Sequence, residues 1–146
     1  MKKHLKKSNF CACIVATSAL LLTNTPLFAN EVEVINVTAS QHSDKTWRFS
    51  VTLKHDDKGW DHYANEWQVI APDNKILGTR TLYHPHVNEQ PFTRSLSGVK
   101  IPDSIKTVRV IAKDTLHGLS HHAAEIDLAS KVVKQLTLDL KKPEKK

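Results

Sequence analysis

Seven of the nine histidines in this 146-residue sequence fall within three short polar segments. Imidazole nitrogens are ligands for Zn(II), Cu(II) and Ni(II), and they also act as general acids and bases. The first segment holds His55 and His62, the second His84 and His86, and the third His117, His121 and His122. This pattern indicates a metal or small-ligand site, provided that the fold brings the three segments together.

The second segment, His84-Pro85-His86, separates two imidazoles by one proline. Pro85 has a fixed φ and favours extended geometry at His84, and residues two apart in extended backbone point to the same side. The two imidazoles can therefore share one metal ion, and Glu89 could add a carboxylate. A solvated polar loop explains the same residues equally well.

The first segment surrounds its histidine with aromatic and acidic residues, in the order Trp60-Asp61-His62-Tyr63. A carboxylate such as Asp61 that holds one imidazole nitrogen leaves the other nitrogen free for a ligand. Trp60 could form a wall of low polarity beside His62. Tyr63 is better explained as a plug at the end of the hydrophobic core.

The third segment begins with Asp114-Thr115-Leu116-His117-Gly118 and continues to the adjacent pair His121 and His122. Asp114 either supports the site or caps a turn, which is the more common role of such a residue. Adjacent histidines are poorly placed to face one site together. We therefore expect at most one of His121 and His122 to contribute.

The sequence lacks the motifs of several enzyme classes. It contains no His-Glu-x-x-His zinc motif, no Gly-x-Ser-x-Gly nucleophile elbow and no glycine-rich phosphate loop. An enzyme would have to use His62 or His117 as a general base. The polar side chains that could hold a small substrate beside that base are Asp61, Glu89 and Arg94.

Residues 1–29 have the order of a secretory signal peptide. Four lysines within residues 1–7 precede an uncharged apolar run over 10–22, and Ala29 ends the segment that follows Pro26. We predict cleavage after Ala29 and export to the periplasm or the exterior, with no membrane-spanning segment left after the leader is removed. A retained anchor is the alternative, because the uncharged stretch 8–30 is long enough to cross a bilayer.

Removal of this leader changes the composition of the chain. Both cysteines, Cys11 and Cys13, lie within it, so the exported protein would have no disulfide and no cysteine-based zinc site. Four of the 21 Lys and Arg residues also lie there, which leaves 17 against 15 acidic residues. Residues 141–146 form a basic tail that we predict to be disordered. The rest is nearly neutral, which argues against nucleic-acid binding.

The body of the chain, residues 30–140, is predicted to be one all-β domain. Residues 46–54 alternate strictly between apolar and polar side chains, as in a strand with one buried face. Further strands are predicted over 31–39, 64–71, 76–83, 92–96 and 107–112, with a last one carrying Leu136, Leu138 and Leu140. The segment 123–133 could be a strand or a turn of helix.

Seven or eight short strands with regular turn signals predict an immunoglobulin-like antiparallel β-sandwich, with a small closed barrel as the alternative. If the strands run alternately up and down, the loops after the second, fourth and sixth strands share one end of the sandwich. Those loops carry seven histidines, whereas the opposite end receives only His42. The predicted topology therefore gathers the histidines at one pole.

Three stretches resemble the signature sequences of a family of small secreted bacterial proteins of unassigned function. They are Gly59-Trp60-Asp61-His62-Tyr63-Ala64, then His84-Pro85-His86-Val87-Asn88-Glu89-Gln90-Pro91-Phe92-Thr93-Arg94-Ser95-Leu96, and Asp114-Thr115-Leu116-His117-Gly118. The resemblance covers most of the body and implies export to the periplasm, without an established activity. The segment 119–122 departs from the shorter glycine-rich turn of that family. This leaves four histidines as the predicted ligands, His62, His84, His86 and His117.

Two main hypotheses for function follow. The first is a periplasmic module that holds one Zn or Cu ion through these four histidines. The second is an envelope domain whose histidine-bearing pole binds a protein partner without metal. A third, a metal-assisted hydrolase, lacks an obvious nucleophile or oxyanion arrangement. In each case the residues expected to support or contact the ligand are Trp60, Asp61, Glu89, Arg94, Asp114, His121 and His122.

Overall fold

The computed structural model describes residues 30–138, and every helix or strand assigned within them is a β-strand. The eight strands are β1 (Glu33–Gln41), β2 (Trp47–Lys54), β3 (Ala64–Ile70), β4 (Ile76–Thr81), β5 (Phe92–Val99), β6 (Thr107–Asp114), β7 (Gly118–Asp127) and β8 (Val133–Thr137). The all-β prediction is thus confirmed. The predicted leader, Leu140 and the basic tail lie outside the described residues. Between residues 30 and 138, no helix long and apolar enough to cross a membrane is found.

The strands form two antiparallel sheets, as expected for a β-sandwich. One sheet has the order β1-β2-β5 and the other the order β4-β3-β6-β7-β8. In the constant-type immunoglobulin arrangement the fourth strand joins the sheet of the first, second and fifth strands. Here β4 pairs with β3 instead. The immunoglobulin-like subclass stays a prediction.

The hydrophobic core lies between the sheets and follows from the period-two pattern of the strands. In β2 the side chains of Trp47, Phe49, Val51 and Leu53 are buried, while those between them are more exposed. The facing sheet contributes further fully buried side chains, among them Trp67, Val69, Val108 and Val110. Burial of each large apolar side chain stabilises the fold by about 1.5–3 kcal/mol. This core makes the strands a firm base for the loops that they carry.

Several predicted boundaries were wrong. The strand predicted over 31–39 is Glu33–Gln41, and those predicted over 64–71 and 76–83 end at Ile70 and Thr81. The strand predicted over 92–96 continues to Val99, because Gly98 adopts a positive φ of 77° and the pairing with β2 resumes after an irregularity. The strand predicted over 107–112 continues to Asp114 and turns directly into β7 at Gly118. The ambiguous segment 123–133 supplies the second half of β7, then a turn.

His121 and His122 were therefore wrongly assigned to a loop. Both lie in β7, where His122 pairs with Thr137 of β8. The polar run Ser120-His121-His122 resembles a loop in the sequence. In the fold, Ser120 is buried and the strand continues through Ala123 and Ala124 into the core.

The loops after β2, β4 and β6 meet at one pole, as the alternating strand directions require. Backbone N–H of His86 in the second loop donates a 2.7 Å hydrogen bond to a carboxylate oxygen of Asp57 in the first. Backbone N–H of Thr115 in the third loop donates a 3.1 Å hydrogen bond to the carbonyl oxygen of Tyr63. We call this end, formed by residues 55–63, 82–91 and 115–117, the histidine pole.

Candidate metal centre

Two imidazoles and one carboxylate converge beneath the histidine pole. His55, His62 and Asp114 each offer one ligand atom, and the three atoms lie within 4.8 Å of one another. All three residues are buried, with at most 9% of their surface exposed. Buried ionisable groups normally need a partner or a metal, because transfer out of water is costly. The convergence of these three is therefore the strongest functional feature of the described chain.

His55 is positioned by the end of β2 and by a neighbouring acid. It follows Lys54, and its ring Nδ1 lies 2.6 Å from Oδ1 of Asp57, with both side chains fully buried. A carboxylate at one imidazole nitrogen holds the ring in place and turns the other nitrogen, Nε2, toward its neighbours. Nε2 lies 3.1 Å from the backbone carbonyl oxygen of Asn30. The carboxylate contact is the usual support for a metal-binding histidine.

Asp57 also connects three parts of the chain. Beyond its contact with His55, Oδ1 accepts a 3.0 Å hydrogen bond from backbone N–H of Ala64, at the start of β3. Oδ2 accepts the hydrogen bond from backbone N–H of His86. One buried carboxylate thereby fixes the first loop, the next strand and the second loop relative to the His55 ring.

His62 and Asp114 form the other side of the centre. Nε2 of His62 lies 3.4 Å from Oδ1 of Asp114, yet among the described residues this buried nitrogen has no hydrogen-bond partner. The position of Asp114 is fixed by backbone N–H groups of Leu116 and His117, which donate to Oδ1 at 2.8 and 2.6 Å. His62 and Asp114 thus lie at ion-pair distance, and imidazole nitrogen and carboxylate oxygen are both atom types that bind a metal ion such as zinc.

The separation of these two atoms fits common coordination geometry. Ligand atoms about 2.1 Å from one ion lie roughly 3.0 Å apart at a right angle and roughly 3.4 Å apart at the tetrahedral angle. The 3.4 Å between His62 Nε2 and Asp114 Oδ1 equals the tetrahedral value. No large side-chain movement is needed for both atoms to bind one ion.

His117 lies at the outer edge of the same cluster. Its Nδ1 is 3.2 Å from Oδ2 of Asp114, and its ring centroid is 4.9 Å from that of His62. More than a third of its side chain is exposed. His117 can therefore supply an additional ligand at the solvent side or orient Asp114.

The second segment lies apart from this group. His84 is exposed, and the ligand atoms gathered within 4.8 Å include those of neither His84 nor His86. The His86 ring instead stacks on Phe92, with ring centroids 3.8 Å apart and nearly parallel planes. Burial, and then the charges of Arg94 and His84, lower the pKa of His86. Both of its ring nitrogens lack a hydrogen-bond partner among residues 30–138.

His84 and His86 border a separate open cavity of about 530 Å³, which Gly59 and Trp60 also line. Trp60 is 68% exposed and packs edge-on against Tyr63, with ring centroids 5.8 Å apart. Trp60 thus lines a cavity together with His84 and His86. Its role as a wall of low polarity beside His62 stays a prediction.

The remaining predicted residues support the loops. Arg94 donates hydrogen bonds of 3.0 and 2.8 Å to the two carboxylate oxygens of Glu89, and this guanidinium lowers the pKa of Glu89. Asp61 is exposed, and its carbonyl oxygen accepts a 3.2 Å hydrogen bond from the hydroxyl of Thr115. His121 contacts Glu31, as described below.

His55 and Asp57 were missed as site residues, although the sequence contains a signal for them. The buried positions of β2 are 47, 49, 51 and 53, and the same alternation continues to 55 and 57. When a histidine and an aspartate lie two residues apart on the buried face at the end of a strand, the carboxylate can hold the imidazole ring in place. The signal is the alternation itself, extended beyond the last apolar residue.

Comparison with known proteins identifies one informative relative. A protein of Halomicrobium mukohataei named "Putative lipoprotein" is 37% identical over 115 residues, which cover 79% of this chain and 56% of that protein. The chain thus spans little more than half of the length of this relative. No family model and no solved structure matches the chain. The relative's name gives no activity, which is consistent with the resemblance to a family of unassigned function.

Proposed function

We propose that this protein is an exported metal-binding module that holds one Zn or Cu ion through His55, His62 and Asp114. His117 is the further ligand at the solvent side. The observation that carries the proposal is the convergence of two buried imidazoles and a buried carboxylate, with Nε2 of His62 lacking a hydrogen-bond partner among the described residues.

Energetics support a bound ion. A buried polar atom without a partner costs about 1–3 kcal/mol, and more when it carries charge. The fold places one such nitrogen, Nε2 of His62, beside the buried carboxylate of Asp114. A cation between the two would bind both groups. A metal ion accepts the lone pair of His62 and balances the charge of Asp114 in one step.

The ligand types narrow the choice of ion. Imidazole suits Zn, Cu, Fe and Ni, whereas carboxylate and carbonyl sites without imidazole suit Mg and Ca. Three protein ligands with a fourth position open to solvent are typical of zinc sites that bind a further molecule. Zn(II) and Cu(II) are therefore the ions to test, in a role of storage, delivery or sensing.

An exported location agrees with both the amino-terminal sequence and the relative. Residues 1–29 are predicted to direct export, and the matching Halomicrobium protein is named "Putative lipoprotein". A site built from histidine and carboxylate, without cysteine, suits an oxidising compartment, because its ligands do not oxidise to disulfides.

Calorimetric titration of untagged protein beginning at Asn30 tests the proposal. Wild-type protein should bind one equivalent of Zn(II) or Cu(II) with a Kd below about 1 μM, and His62→Ala should weaken binding at least tenfold. His42→Ala, at the opposite end, is the matched control and should bind as wild type does. Binding weaker than about 10 μM, or equal binding by His62→Ala, would contradict the proposal.

A second function, binding of an envelope protein, is favoured by apolar side chains around the same pole. Trp60, Tyr83 and Leu116 are 68%, 77% and 66% exposed, and large exposed aromatics are enriched in protein interfaces. A Trp60→Ala, Tyr83→Ala double variant should lose partner capture and keep its metal content. If neither property changes, these side chains are not an interface.

A further inference from the structure

Asn30 lies against both histidines of the candidate metal centre. Its backbone carbonyl oxygen is 3.1 Å from Nε2 of His55, and its side-chain Nδ2 is 3.5 Å from Nδ1 of His62. Asn30 is far from both histidines in sequence. Asn30 therefore brings both a main-chain oxygen and a side chain next to two of the three candidate ligands.

We propose that Asn30 becomes the amino-terminal residue after cleavage of the leader and binds the same metal ion through its α-amino nitrogen and its carbonyl oxygen. This inference rests on the proposed function, since it adds ligands to that site. It also explains why the metal-binding nitrogen of His55 faces a carbonyl oxygen.

The contact between His55 and Asn30 has the geometry of two ligands on one ion. The 3.1 Å between Nε2 and the carbonyl oxygen lies between the roughly 3.0 and 3.4 Å expected for right-angle and tetrahedral ligand pairs. Nδ1 of His55 already faces the carboxylate of Asp57. In a neutral ring protonated at Nδ1, Nε2 carries a lone pair that faces the carbonyl oxygen. A metal ion bound between these two acceptors would contact both of them.

The amino nitrogen follows from the chemistry of the residue. The nitrogen and the carbonyl oxygen of one residue are joined through Cα and C, so binding of both to one ion closes a five-membered chelate ring. A peptide nitrogen is a poor ligand because its lone pair is delocalised. A terminal amine has a free lone pair once its ammonium form has released a proton to solvent. Cleavage before Asn30 thus creates the second donor.

The chain around Asn30 is held firmly enough for this role. Glu31 accepts a 2.7 Å hydrogen bond from backbone N–H of His121 and faces the ring Nδ1 of His121 at 2.8 Å. Val32 is completely buried in the core. These contacts keep the carbonyl oxygen beside His55.

A functional consequence is that metal loading follows export. The precursor carries a peptide bond at Asn30 and lacks the amine, so it offers a weaker site. Removal of the leader supplies a donor tethered beside the ligands already present, and such an intramolecular step strengthens binding without a new binding partner. The protein would then capture its ion in the compartment to which it is delivered.

Three forms of the protein test this inference. Each starts near residue 30 and therefore keeps both sheets and the core, which lie within residues 30–138. They begin at Asn30, at Ala29 and at Glu31, they all end at Lys146, and each is released from a fusion partner by a protease that leaves no extra residue. The form that begins at Asn30 should bind Cu(II) at least about tenfold more tightly than the other two. A His42→Ala form with the same start is changed at the opposite end of the sandwich, in the turn between β1 and β2, and should bind as tightly as wild type.

A spectroscopic measurement identifies the donor directly. Protein that begins at Asn30 and carries ¹⁵N only in asparagine should show coupling between Cu(II) and a directly bonded ¹⁵N nucleus in electron–nuclear double resonance spectra. The form that begins at Ala29 should lack it. This result does not depend on whether removal of Asn30 disturbs folding.

The outcomes separate the inference from the function beneath it. If all three forms bind equally and each binds more tightly than its His62→Ala counterpart, Asn30 is not a ligand and the metal centre stands. If only the Glu31 form is weaker and no ¹⁵N coupling is seen, the chelate is overturned. If no form binds more tightly than its His62→Ala counterpart, the proposed function itself fails.

Discussion

Asp57 and His55 form a fully buried pair in which the carboxylate oxygen Oδ1 lies 2.6 Å from the ring nitrogen Nδ1. The carboxylate of Asp57 has two roles. It orients the imidazole of His55, and through its other contacts it holds the start of β3 and the loop after β4 in place. Stability of the histidine pole and competence of the site should therefore depend on the same residue.

Replacement of Asp57 by alanine should lower the free energy of unfolding by about 3 kcal/mol or more. The variant leaves an imidazole and two backbone N–H groups without their acceptor, and each buried unpaired group costs about 1–3 kcal/mol. Asp56→Ala is the matched control, because Asp56 is exposed and pairs with Lys58 at the surface, so its effect should stay within about 1 kcal/mol. Urea unfolding followed by tryptophan fluorescence measures both. A loss for Asp57→Ala no larger than that of the control would contradict the central role of this carboxylate.

Zinc should raise the thermal stability of the wild-type protein. A ligand that binds only the folded state contributes about 2.7 kcal/mol at a free concentration one hundred times its Kd. For a domain of this size that corresponds to a rise in Tm of roughly 10 °C. His62→Ala should show little rise, whereas His42→Ala should respond as wild type does. Differential scanning calorimetry with and without zinc decides, and a similar rise in the His62→Ala variant would mean that the ion binds elsewhere.

The stability of the fold should decline in mild acid partly because of His86. Burial lowers the pKa of His86 in the folded state below its ordinary value of 6.5. The unfolded chain therefore takes up the proton first as the pH falls. The contribution of His86 to stability is complete above about pH 6.5 and is lost as the pH falls toward the folded-state pKa.

Replacement of His86 by phenylalanine should make the pH dependence of stability shallower. The ring keeps its stack on Phe92 and no hydrogen bond is lost, since neither ring nitrogen has a partner among the described residues. The free energy of unfolding of this variant, measured from pH 7.5 to 5, should fall less than that of wild type. His42→Phe should keep the wild-type slope. If the stability of His86→Phe depends on pH as steeply as that of wild type, the pKa of His86 does not differ between the folded and unfolded states, which would contradict the prediction.

Glu31 should control metal affinity without being a ligand. Its carboxylate anchors the segment next to Asn30 through His121 and the hydroxyl of Ser120. Glu31→Ala should weaken Cu(II) binding about tenfold or more, by analogy with the loss of groups that orient metal ligands. It should also speed amide exchange in residues 31–34. Glu33→Ala, on the exposed face of β1, should change neither property. Unchanged affinity in Glu31→Ala would remove Glu31 from the positioning of Asn30.

Much of the fold could be predicted from the sequence because the relevant signals are local. Alternation of Trp47, Phe49, Val51 and Leu53 requires one buried face, and turn residues mark where the chain reverses. The strand predictions were wrong where polar residues continue a strand. His121 and His122 were predicted to lie in a loop, because nothing in the local sequence indicates that β8 pairs with this part of β7.

The sequence predicted only part of the residue cluster that the structure brings together. His62 and His117 were expected as ligands and lie at the buried centre or its edge, and Asp114 was expected as a supporting residue and offers a ligand atom itself. His84 and His86 share an open cavity outside this group. The spacing within His84-Pro85-His86 predicts only how the two rings are placed relative to each other. It does not predict whether the loop directs them toward the buried centre or toward solvent.

The sequence by itself determined the strands, their alternating directions and hence the pole at which the histidines gather, since these follow from a two-residue period and from the parity of chain reversals. Only the tertiary structure decided which side chains meet. His55 and Asp57 continue the buried face of β2 and turn inward, whereas His84 stays at the surface. Asn30, His62 and Asp114 lie far apart along the chain, and their approach to within a few ångströms depends on the packing of two sheets and on buried hydrogen bonds that no local pattern specifies.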